Sequence, residues 1–566
     1  MRTPILVYKS ALIAALGGLL FGFDTAVISG TIRQLQEQFL LNDWWLGFTV
    51  ASGLFGTILG AATAQIPSNR FGRKPTLIIM AVLYIICSVG CAVPWNWNPG
   101  TLGSTDWILF MASRFLGGVA VGVSSVVSPL YTAEISPAKS RGFLVAITQF
   151  NLVFGILLAF FTNYLIGNSL SGYISTISGA AGMEWRWMLG IMVIPSALFF
   201  VLAFTIPESP RWLIGRGQIE RAKSIIARLG TDEGRSVDEE VNVIRSAIEE
   251  ETRKGKVVFF TRRLWFPITL AFCIAAFNQL SGINAVLYYA PTVFSMAGAS
   301  KELALFFPVV IGLTNLIFTM AAMAVIDSFG RKKLMIAGSL GYITSLCVVA
   351  IAFIVYASPF SVSIANFAVQ EAQAKVEQHQ KAYDADPNDF NREGLKNALI
   401  DCRKALDAAI DAQHKAIAGE SPKIDLMTER GEEDIETLKS YIESAASEID
   451  LSPTVPMGGI LIVLIGLMAF IASHAFGQGA CIWVFLSEIF PQEVRAQGTA
   501  LGCFTHWVFA AIVTQLFPVL LGLLGPSNIF FMFSGFMVLQ LIWVLTLMPE
   551  TKQVPLEEMQ RRLGIK

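Results

Sequence analysis

One acidic side chain lies in the middle of an apolar stretch near the start of the chain. Residues 17–30 read GGLLFGFDTAVISG, and the apolar run extends from Ala11 past Ile28, so Asp24 lies deep within it. A carboxylate at such depth in a membrane costs at least roughly 2.5 kcal/mol, and acids there are functional candidates by default. Arg114, in SRFLGG, is the other charge in an apolar run of this region. Pairing with Arg keeps an Asp ionised, whereas burial without the partner favours its protonated form; the alternative is a static structural ion pair.

These two charges lie in a chain composed largely of apolar runs. The 566 residues are 54% hydrophobic and 15% charged, and the mean hydropathy is +0.59, which excludes an ordinary soluble domain. Twelve of the runs are long enough to cross a hydrocarbon core of about 30 Å. The predicted spans are 11–32, 46–67, 76–94, 107–132, 143–166, 187–206, 265–296, 303–326, 334–357, 457–486, 498–521 and 528–548. The sequence therefore predicts an all-α integral membrane protein with twelve transmembrane helices.

Basic residues are concentrated in alternate loops between these spans. The loop after the second span contains Arg70, Arg73 and Lys74, whereas 94–106 and 166–184 contain no Lys or Arg. Because loops rich in Lys and Arg stay in the cytoplasm, both termini are predicted to be cytoplasmic. The basic residues are explained by topology, and the sequence predicts no nucleic-acid partner.

The residues that usually mark enzymes and metal sites are not arranged in their characteristic patterns. The seven cysteines follow no disulfide or zinc spacing. The sequence also lacks a nucleophile elbow and a phosphate-binding glycine loop. We therefore predict a protein that is not an enzyme and that has no cofactor and no metal.

Three motifs of the first half of the chain recur in the second half. They are RFGRKP at 70–75 and SFGRKK at 328–333, AEISPAKSRG at 133–142 and SEIFPQEVRAQG at 487–498, and PESPRW at 207–212 and PETK at 549–552. Each pair follows corresponding spans, which indicates two parallel six-helix halves of the kind found in transporters. The predicted units are an N-terminal half at 1–206, a cytoplasmic helical linker at 207–263, helices 7–9 at 264–357, an extracytoplasmic acidic helical insertion at 358–455, helices 10–12 at 456–548 and a cytoplasmic tail at 549–566.

The repeated motifs place charged residues at the cytoplasmic ends of helices. Acidic side chains there can bridge to basic ones and hold the inner side of a transporter closed. The candidate gating residues are Arg73, Glu134, Arg141, Glu208, Arg331, Glu488 and Arg495. The alternative is that these charges only satisfy topology and helix ends.

The segment between the ninth and tenth spans is acidic. Residues 366–452 contain 10 Lys and Arg against 19 Asp and Glu, a net charge of −9. Apolar residues at helical spacing from Leu395 to Ile417 predict one helix, and shorter helical stretches are predicted near 364–383 and 432–449. A solvated helical appendage is the favoured interpretation, and a lid or a partner surface is the alternative.

Five motifs occur in order at the predicted span boundaries. They are FGFDTAVISG, RFGRKP, PESPRWL, QLSGINAVLYYAPTVF at 279–294 and the terminal PETK. The set resembles the sugar-porter family of the major facilitator superfamily, and it extends over the chain except for 360–455. The fold implied by this resemblance agrees with the twelve predicted spans.

The resemblance also implies where a sugar would bind. Sugars are neutral polyols, so a site needs amide and hydroxyl partners and an aromatic face. The positions that match the family's sugar site, or lie beside it, are Gln149, Asn278, Gln279, Asn284, Tyr288, Asn315, Trp483, His506 and Trp507. The alternative role for the amides is hydrogen bonding between helices.

Two of these positions depart from the family pattern. Residue 278 is Asn where glutamine is common, and residue 506 is His where Gln or Asn is usual. His506 can bond a hydroxyl as donor or acceptor and can add pH sensitivity. For His474, the other histidine in a span, helix packing is at least as good an explanation as a role in the site.

The function implied by the resemblance is secondary active transport of a monosaccharide or polyol by alternating access. In proton-coupled members an Asp and an Arg match Asp24 and Arg114, whereas facilitative members typically lack the acid. Sugar–proton symport is therefore predicted, with an uncoupled facilitative carrier and a transporter-like sugar sensor as alternatives. The implied partners are a sugar or polyol, a proton and membrane lipid, and the implied location is a plasma membrane of the bacterial inner-membrane type.

Overall fold

Apolar helices form the body of the molecule. The computed structural model describes residues 4–93, 104–178, 182–231, 235–253, 258–385, 389–418, 435–448, 456–491, 493–552, 554 and 556–565, and every regular element in these ranges is a helix. The described segments long and apolar enough to cross a membrane, numbered as spans in chain order, are Ile5–Phe39, Asp43–Thr63, Arg73–Ala92, Thr105–Ile135, Lys139–Ser169, Glu184–Ala203, Arg262–Tyr288, Lys301–Ile326, Arg331–Val355, Met457–Glu488 and Arg495–Thr546.

The last of these segments contains two crossings. Gly525 has φ 75° and ψ 166°, so it interrupts the helix inside Arg495–Thr546. Residues before Gly525 form span 11 and residues after it form span 12. The all-helical fold with twelve spans that the sequence predicts is confirmed. Because twelve crossings return the chain to its starting side, both ends lie on one face of the bundle, here called the terminal face.

Several spans are longer or more broken than their hydropathy indicates. Span 1 continues past a 3-10 turn at Ile28–Thr31 into the helix Ile32–Phe39. Span 7 consists of Trp265–Leu280 and Ile283–Tyr288, separated at Gly282 with φ 85°. The break at Gly282 lies between Gln279 and Asn284, two of the predicted amides of this span.

Small residues allow spans 2 and 4 to touch along their backbones. A Cβ added to Gly118 would collide with the backbone of Gly53, and one added to Gly56 would collide with Phe115. Close backbone approach at glycine is a common way of packing helices in membranes. The hydrophobic effect does not drive helices together in lipid, so association depends on close van der Waals packing. This packing fixes span 4, which carries Arg114, against span 2.

The two halves meet along two pairs of spans. Span 2 contacts span 11, where a Cβ on Gly47 would collide with the backbone of Gln515. Span 5 contacts span 8, where a Cβ on Gly312 would lie 3.1 Å from Leu157. The linker between the halves forms helices Pro210–Gly215, Ile219–Leu229 and Val237–Arg253, which share a small apolar core.

The insertion between spans 9 and 10 is a helical unit with its own core. Its helices are Ala357–Ala385, Asp389–Ala418 and Ile435–Glu448. The first is longer than the predicted 364–383 because it begins directly after span 9. Residues 432–434 and 449 of the last predicted helix lie outside the described residues. Val369, Cys402 and Leu406 are among the side chains buried between these helices.

Polar contacts connect the insertion with the membrane body. The Ser363 hydroxyl donates to the carbonyl oxygen of Gly298 at 2.9 Å, next to span 8. Glu371 forms an ion pair with Arg33 of span 1. The insertion belongs to the second half by sequence, so the Arg33–Glu371 pair joins the two halves on the face opposite the terminal face.

Candidate functional site

Asp24 and Arg114 form a buried ion pair. Arg114 Nη1 donates to Asp24 Oδ1 at 2.7 Å, and Nη2 lies 3.4 Å from the Asp24 carbonyl oxygen. Each residue is only 3% exposed. The structure thus brings together the two charges that the sequence predicts as a coupling pair.

The surroundings of this pair are narrow. A Cβ on Gly53 would lie 3.3 Å from Arg114 Nη2, so span 2 passes directly beside the guanidinium group. The Cys87 thiol of span 3 lies 3.9 Å from Asp24 Oδ1. The Nε of Arg114 is buried and has no hydrogen-bond partner within the described part of the chain. Span 3, through Cys87, is a neighbour of the pair that sequence patterns do not indicate.

The predicted amides of span 7 meet the histidine of span 11. Gln279 Nε2 donates to Asn278 Oδ1 at 3.0 Å and lies 3.1 Å from His506 Nε2. The Gln279 Oε1 atom is buried and has no partner among the described residues. An unsatisfied acceptor of this kind suits a ligand that brings hydroxyl donors, because a buried acceptor without a partner costs about 1–3 kcal/mol.

Two tryptophans are arranged around the same histidine. The Trp483 ring centroid lies 5.3 Å from that of His506, and the Trp507 centroid lies 4.9 Å from it. Trp483 is 37% exposed, which leaves part of its face open for a flat apolar surface. Trp507 also contacts Phe21 of span 1, with centroids 5.7 Å apart, so the cluster extends across the boundary between the halves.

Among the described residues, no hydrogen bond joins the remaining predicted substrate residues to this cluster. Asn315 accepts a hydrogen bond from Thr319 at 3.4 Å within span 8. Among the described residues, neither Gln149 nor Asn284 hydrogen-bonds with the cluster, although both keep part of their surface exposed. Tyr288 is buried at 3% exposure on the helix that follows the Gly282 break.

His474 has a partner on a neighbouring span. Its Nδ1 lies 2.5 Å from the Tyr342 hydroxyl of span 9, and the same hydroxyl lies 3.3 Å from Gln478 Oε1. These contacts connect spans 9 and 10, which agrees with a packing role for His474.

Charged side chains on the terminal face of the first half form a compact network. Arg73 binds both carboxylate oxygens of Glu134, with two distances of 2.8 Å. Glu208 accepts from the backbone N–H of Arg73 at 3.0 Å and of Ser209 at 2.7 Å. Burial raises the pKa of the Glu208 carboxyl above its ordinary value, although these backbone N–H groups oppose the shift.

The second half repeats this network. Arg331 Nη2 lies 2.9 Å from Glu488 Oε1, and Glu550 accepts from the backbone N–H of Arg331 at 3.0 Å and of Lys332 at 3.1 Å. Glu550 therefore matches Glu208, although it was not among the predicted gating residues. The PETK repeat contained the information needed to find it.

Among the described residues, the two other predicted gating arginines form no such carboxylate pair. Arg141 donates to the Ser136 carbonyl oxygen at 3.3 Å, and the Arg495 Nε is buried without a partner in the described ranges. Arg73, Glu134 and Arg141 line a cavity of about 710 Å³ between span ends and the linker helices. The Arg73–Glu134 and Arg331–Glu488 ion pairs thus each lie within one half.

Two six-helix halves around buried amides, aromatic rings and an ion pair define a membrane transporter. The chain belongs to the family described as Sugar (and other) transporter, whose model matches residues 10–369 and 451–563. The unmatched part is most of the acidic insertion. Membership in this family, together with the fold, identifies the chain as an integral membrane transporter for sugars and not an enzyme.

Individual relatives cover nearly the whole chain. The D-xylose-proton symporter of Escherichia coli (strain K12) is 29% identical, with 98% of this chain and 95% of the relative aligned. Probable inositol transporter 2 of Arabidopsis thaliana is 30% identical over 98% of this chain and 91% of the relative. The partially occluded inward-open structure of the xylose transporter from E. coli matches with a TM-score of 0.68 at 28% identity, covering 97% of this chain and 99% of that one.

Proposed function

We propose that this protein carries a monosaccharide or cyclic polyol across a plasma membrane of the bacterial inner-membrane type together with a proton. The observation that supports proton coupling is the buried Asp24–Arg114 ion pair. Both residues line the same small cavity as Trp507. A carboxylate held ionised by an arginine can take a proton when the pair loosens. Replacing a buried ion pair by well-packed apolar side chains is often neutral or stabilising, so stability alone is a weak explanation for this pair.

The substrate binds among Asn278, Gln279, His506 and Trp483. The amides and the imidazole supply donors and acceptors for hydroxyl groups, and the exposed face of Trp483 packs against the C–H face of the ring. The names of the relatives, a D-xylose-proton symporter and an inositol transporter, support a neutral ring with several hydroxyl groups as the substrate class.

The terminal face is assigned to the cytoplasm. Its loops contain the basic residues of both RFGRKP-like motifs, as the positive-inside rule requires. The insertion then lies outside the cell. The paired networks around Arg73 and Arg331 anchor the inner end of each half, and the gating residues Arg141 and Arg495 contact the other half when the inner side closes.

The proposal is tested by uptake of labelled sugar into proteoliposomes that contain the purified protein. Xylose, glucose, fructose and inositol are compared by competition. An inward proton gradient should drive accumulation above the external concentration, and an uncoupler should abolish it. Equilibration without accumulation would indicate a facilitative carrier, and failure to move any of the four compounds would contradict the substrate class.

A further inference from the structure

A small cavity lies between the Asp24–Arg114 pair and the second half of the protein. Its volume is about 10 Å³, and its walls include Asp24, Thr25 and Arg114 from the first half and Tyr288 and Trp507 from the second. We infer that this cavity holds one water molecule and that the Tyr288 hydroxyl positions this water for proton transfer to Asp24. This inference rests on the proposed symport and adds a residue to its coupling machinery.

The cavity has the size and the polar lining that a single water needs. A volume of about 10–15 Å³ accommodates one water molecule, which then requires two to four polar partners. Asp24 Oδ1 is used by Arg114, whereas Oδ2 has no hydrogen bond within the described part of the chain. The Nε of Arg114, which has no hydrogen-bond partner among the described residues, is a second polar group of this ion pair available to the water.

Tyr288 provides the third polar group. Its side chain lines the same small cavity as Thr25, Asp24 and Arg114. The hydrogen bonds and ring contacts described above for the substrate cluster do not include Tyr288, which is only 3% exposed at the boundary between the halves. Its position therefore favours contact with the ion pair over contact with sugar.

The helix that carries Tyr288 links the two sites mechanically. Tyr288 is the last residue of Ile283–Tyr288, which follows Gln279 across the Gly282 break. On the other wall, Trp507 contacts His506, which in turn lies against Gln279. Movement of the substrate helix changes the distance between the Tyr288 hydroxyl and Asp24, so sugar binding and water positioning are coupled.

The proton transfer consumes one proton from bulk solvent, which is the co-substrate of the proposed symport. The cavity water gives one proton to Asp24 Oδ2 and is restored by the proton that enters from solvent. Asp24 gains an O–H bond, its charge falls to zero, and the water is regenerated. The Tyr288 hydroxyl holds the water by a hydrogen bond and is unchanged at the end.

The neighbouring tyrosine offers a matched control. Tyr289 is equally buried, but its hydroxyl donates to the Thr514 carbonyl oxygen at 3.2 Å and its ring packs on Phe517. Tyr288→Phe and Tyr289→Phe each remove one hydroxyl from the same helix region. Only the first removes a group that faces Asp24.

The experiment measures sugar-dependent proton uptake, accumulation ratio and sugar exchange in proteoliposomes for both variants. Tyr288→Phe should lower the number of protons taken up per sugar at least fivefold and shift the pH dependence of uphill uptake, with exchange within twofold of wild type. Tyr289→Phe should leave the proton-to-sugar ratio unchanged.

Three results would overturn the inference. Unchanged coupling in Tyr288→Phe would remove the hydroxyl from the mechanism. A raised KM for exchange with normal coupling would make Tyr288 a sugar contact. Equal loss of coupling in both variants would indicate general packing. A wild-type protein without sugar-dependent proton uptake would instead contradict the proposed symport, which is a separate outcome of the same assay.

Discussion

Gln279 of span 7 and His506 of span 11 lie 3.1 Å apart, although 227 positions separate them in the chain. The contact is made by an amide nitrogen and a ring nitrogen, so each side chain fixes the orientation of the other. It leaves Gln279 Oε1 as a buried acceptor without a partner in the described residues. This pair defines the polar centre of the proposed sugar site.

Gln279→Ala should weaken sugar binding about 5- to 150-fold, which corresponds to roughly 1–3 kcal/mol for a lost buried partner. Equilibrium binding of labelled sugar to purified protein measures the effect. Gln540→Ala is the control, because this buried amide bonds Ser339 at 2.9 Å within the second half and belongs to no proposed site. Normal affinity in a folded Gln279→Ala protein would exclude the assignment.

Asp24→Asn should abolish accumulation and sugar-dependent proton uptake while sugar exchange continues. Asparagine keeps the shape of the side chain but cannot bind and release the proton, so it imitates a permanently protonated carrier. Asp106→Asn is the matched control, because Asp106 forms another buried pair, 2.8 Å from Arg186, outside the proposed site. That variant should lower stability and keep the proton-to-sugar ratio. Uphill uptake in Asp24→Asn equal to wild type would remove Asp24 from the coupling mechanism.

Replacement of 362–452 by a short Gly/Ser linker should leave sugar affinity and transport rate within about twofold of wild type. The insertion has its own core, and its ion pair with Arg33 is exposed, so the expected contribution is only about 0.2–1 kcal/mol. Glu371→Gln isolates the contribution of that ion pair. If the linker variant is folded but inactive while Glu371→Gln transports normally, the insertion is an obligatory lid or partner surface.

Gly330→Ala should destabilise the protein by at least about 1 kcal/mol, and Gly72→Ala should act similarly. Both glycines have positive φ, 91° and 107°, which disfavours any residue with a Cβ. In addition, a Cβ at position 330 would lie 2.7 Å from Glu550 Oε2. Thermal unfolding in detergent gives the comparison, with Gly142→Ala as control because no atom lies within 4 Å of its added Cβ. Equal unfolding temperatures for all three variants would contradict the expected destabilisation at Gly72 and Gly330.

Much of the architecture could be predicted from the sequence because its causes are local. Length and hydropathy give the spans, and the repeated RFGRKP and SFGRKK motifs indicate two equivalent halves. The helices begin at Arg73 and Arg331, three residues before the predicted spans 76–94 and 334–357. The extension of span 1 to Phe39 was not predicted, because Ile32–Phe39 is too polar for a hydropathy criterion and is held by its packing.

The site could be predicted only residue by residue. Asp24 and Arg114 are conspicuous because charge in an apolar run is costly. By contrast, the contacts of His474 with Tyr342 and of Cys87 with Asp24 depend on which helices become neighbours, and no periodicity contains that information. The environment of Tyr288 also could not be predicted from the sequence. Tyr288 and Tyr289 are chemically identical, and they differ only in the surface that each one faces.

The insertion leaves and re-enters the bundle at nearly the same place. A Cβ on Gly459, near the start of span 10, would lie 2.7 Å from both Tyr356 and Phe360 at the start of the insertion. The two ends of the insertion therefore lie close together, as the ends of a short turn do. The length of the segment between them has little effect on the packing of spans 9 and 10. This position is an attachment point at which a fluorescent protein or an affinity module can be exchanged for the native helices, giving a reporter on the face opposite the terminal face.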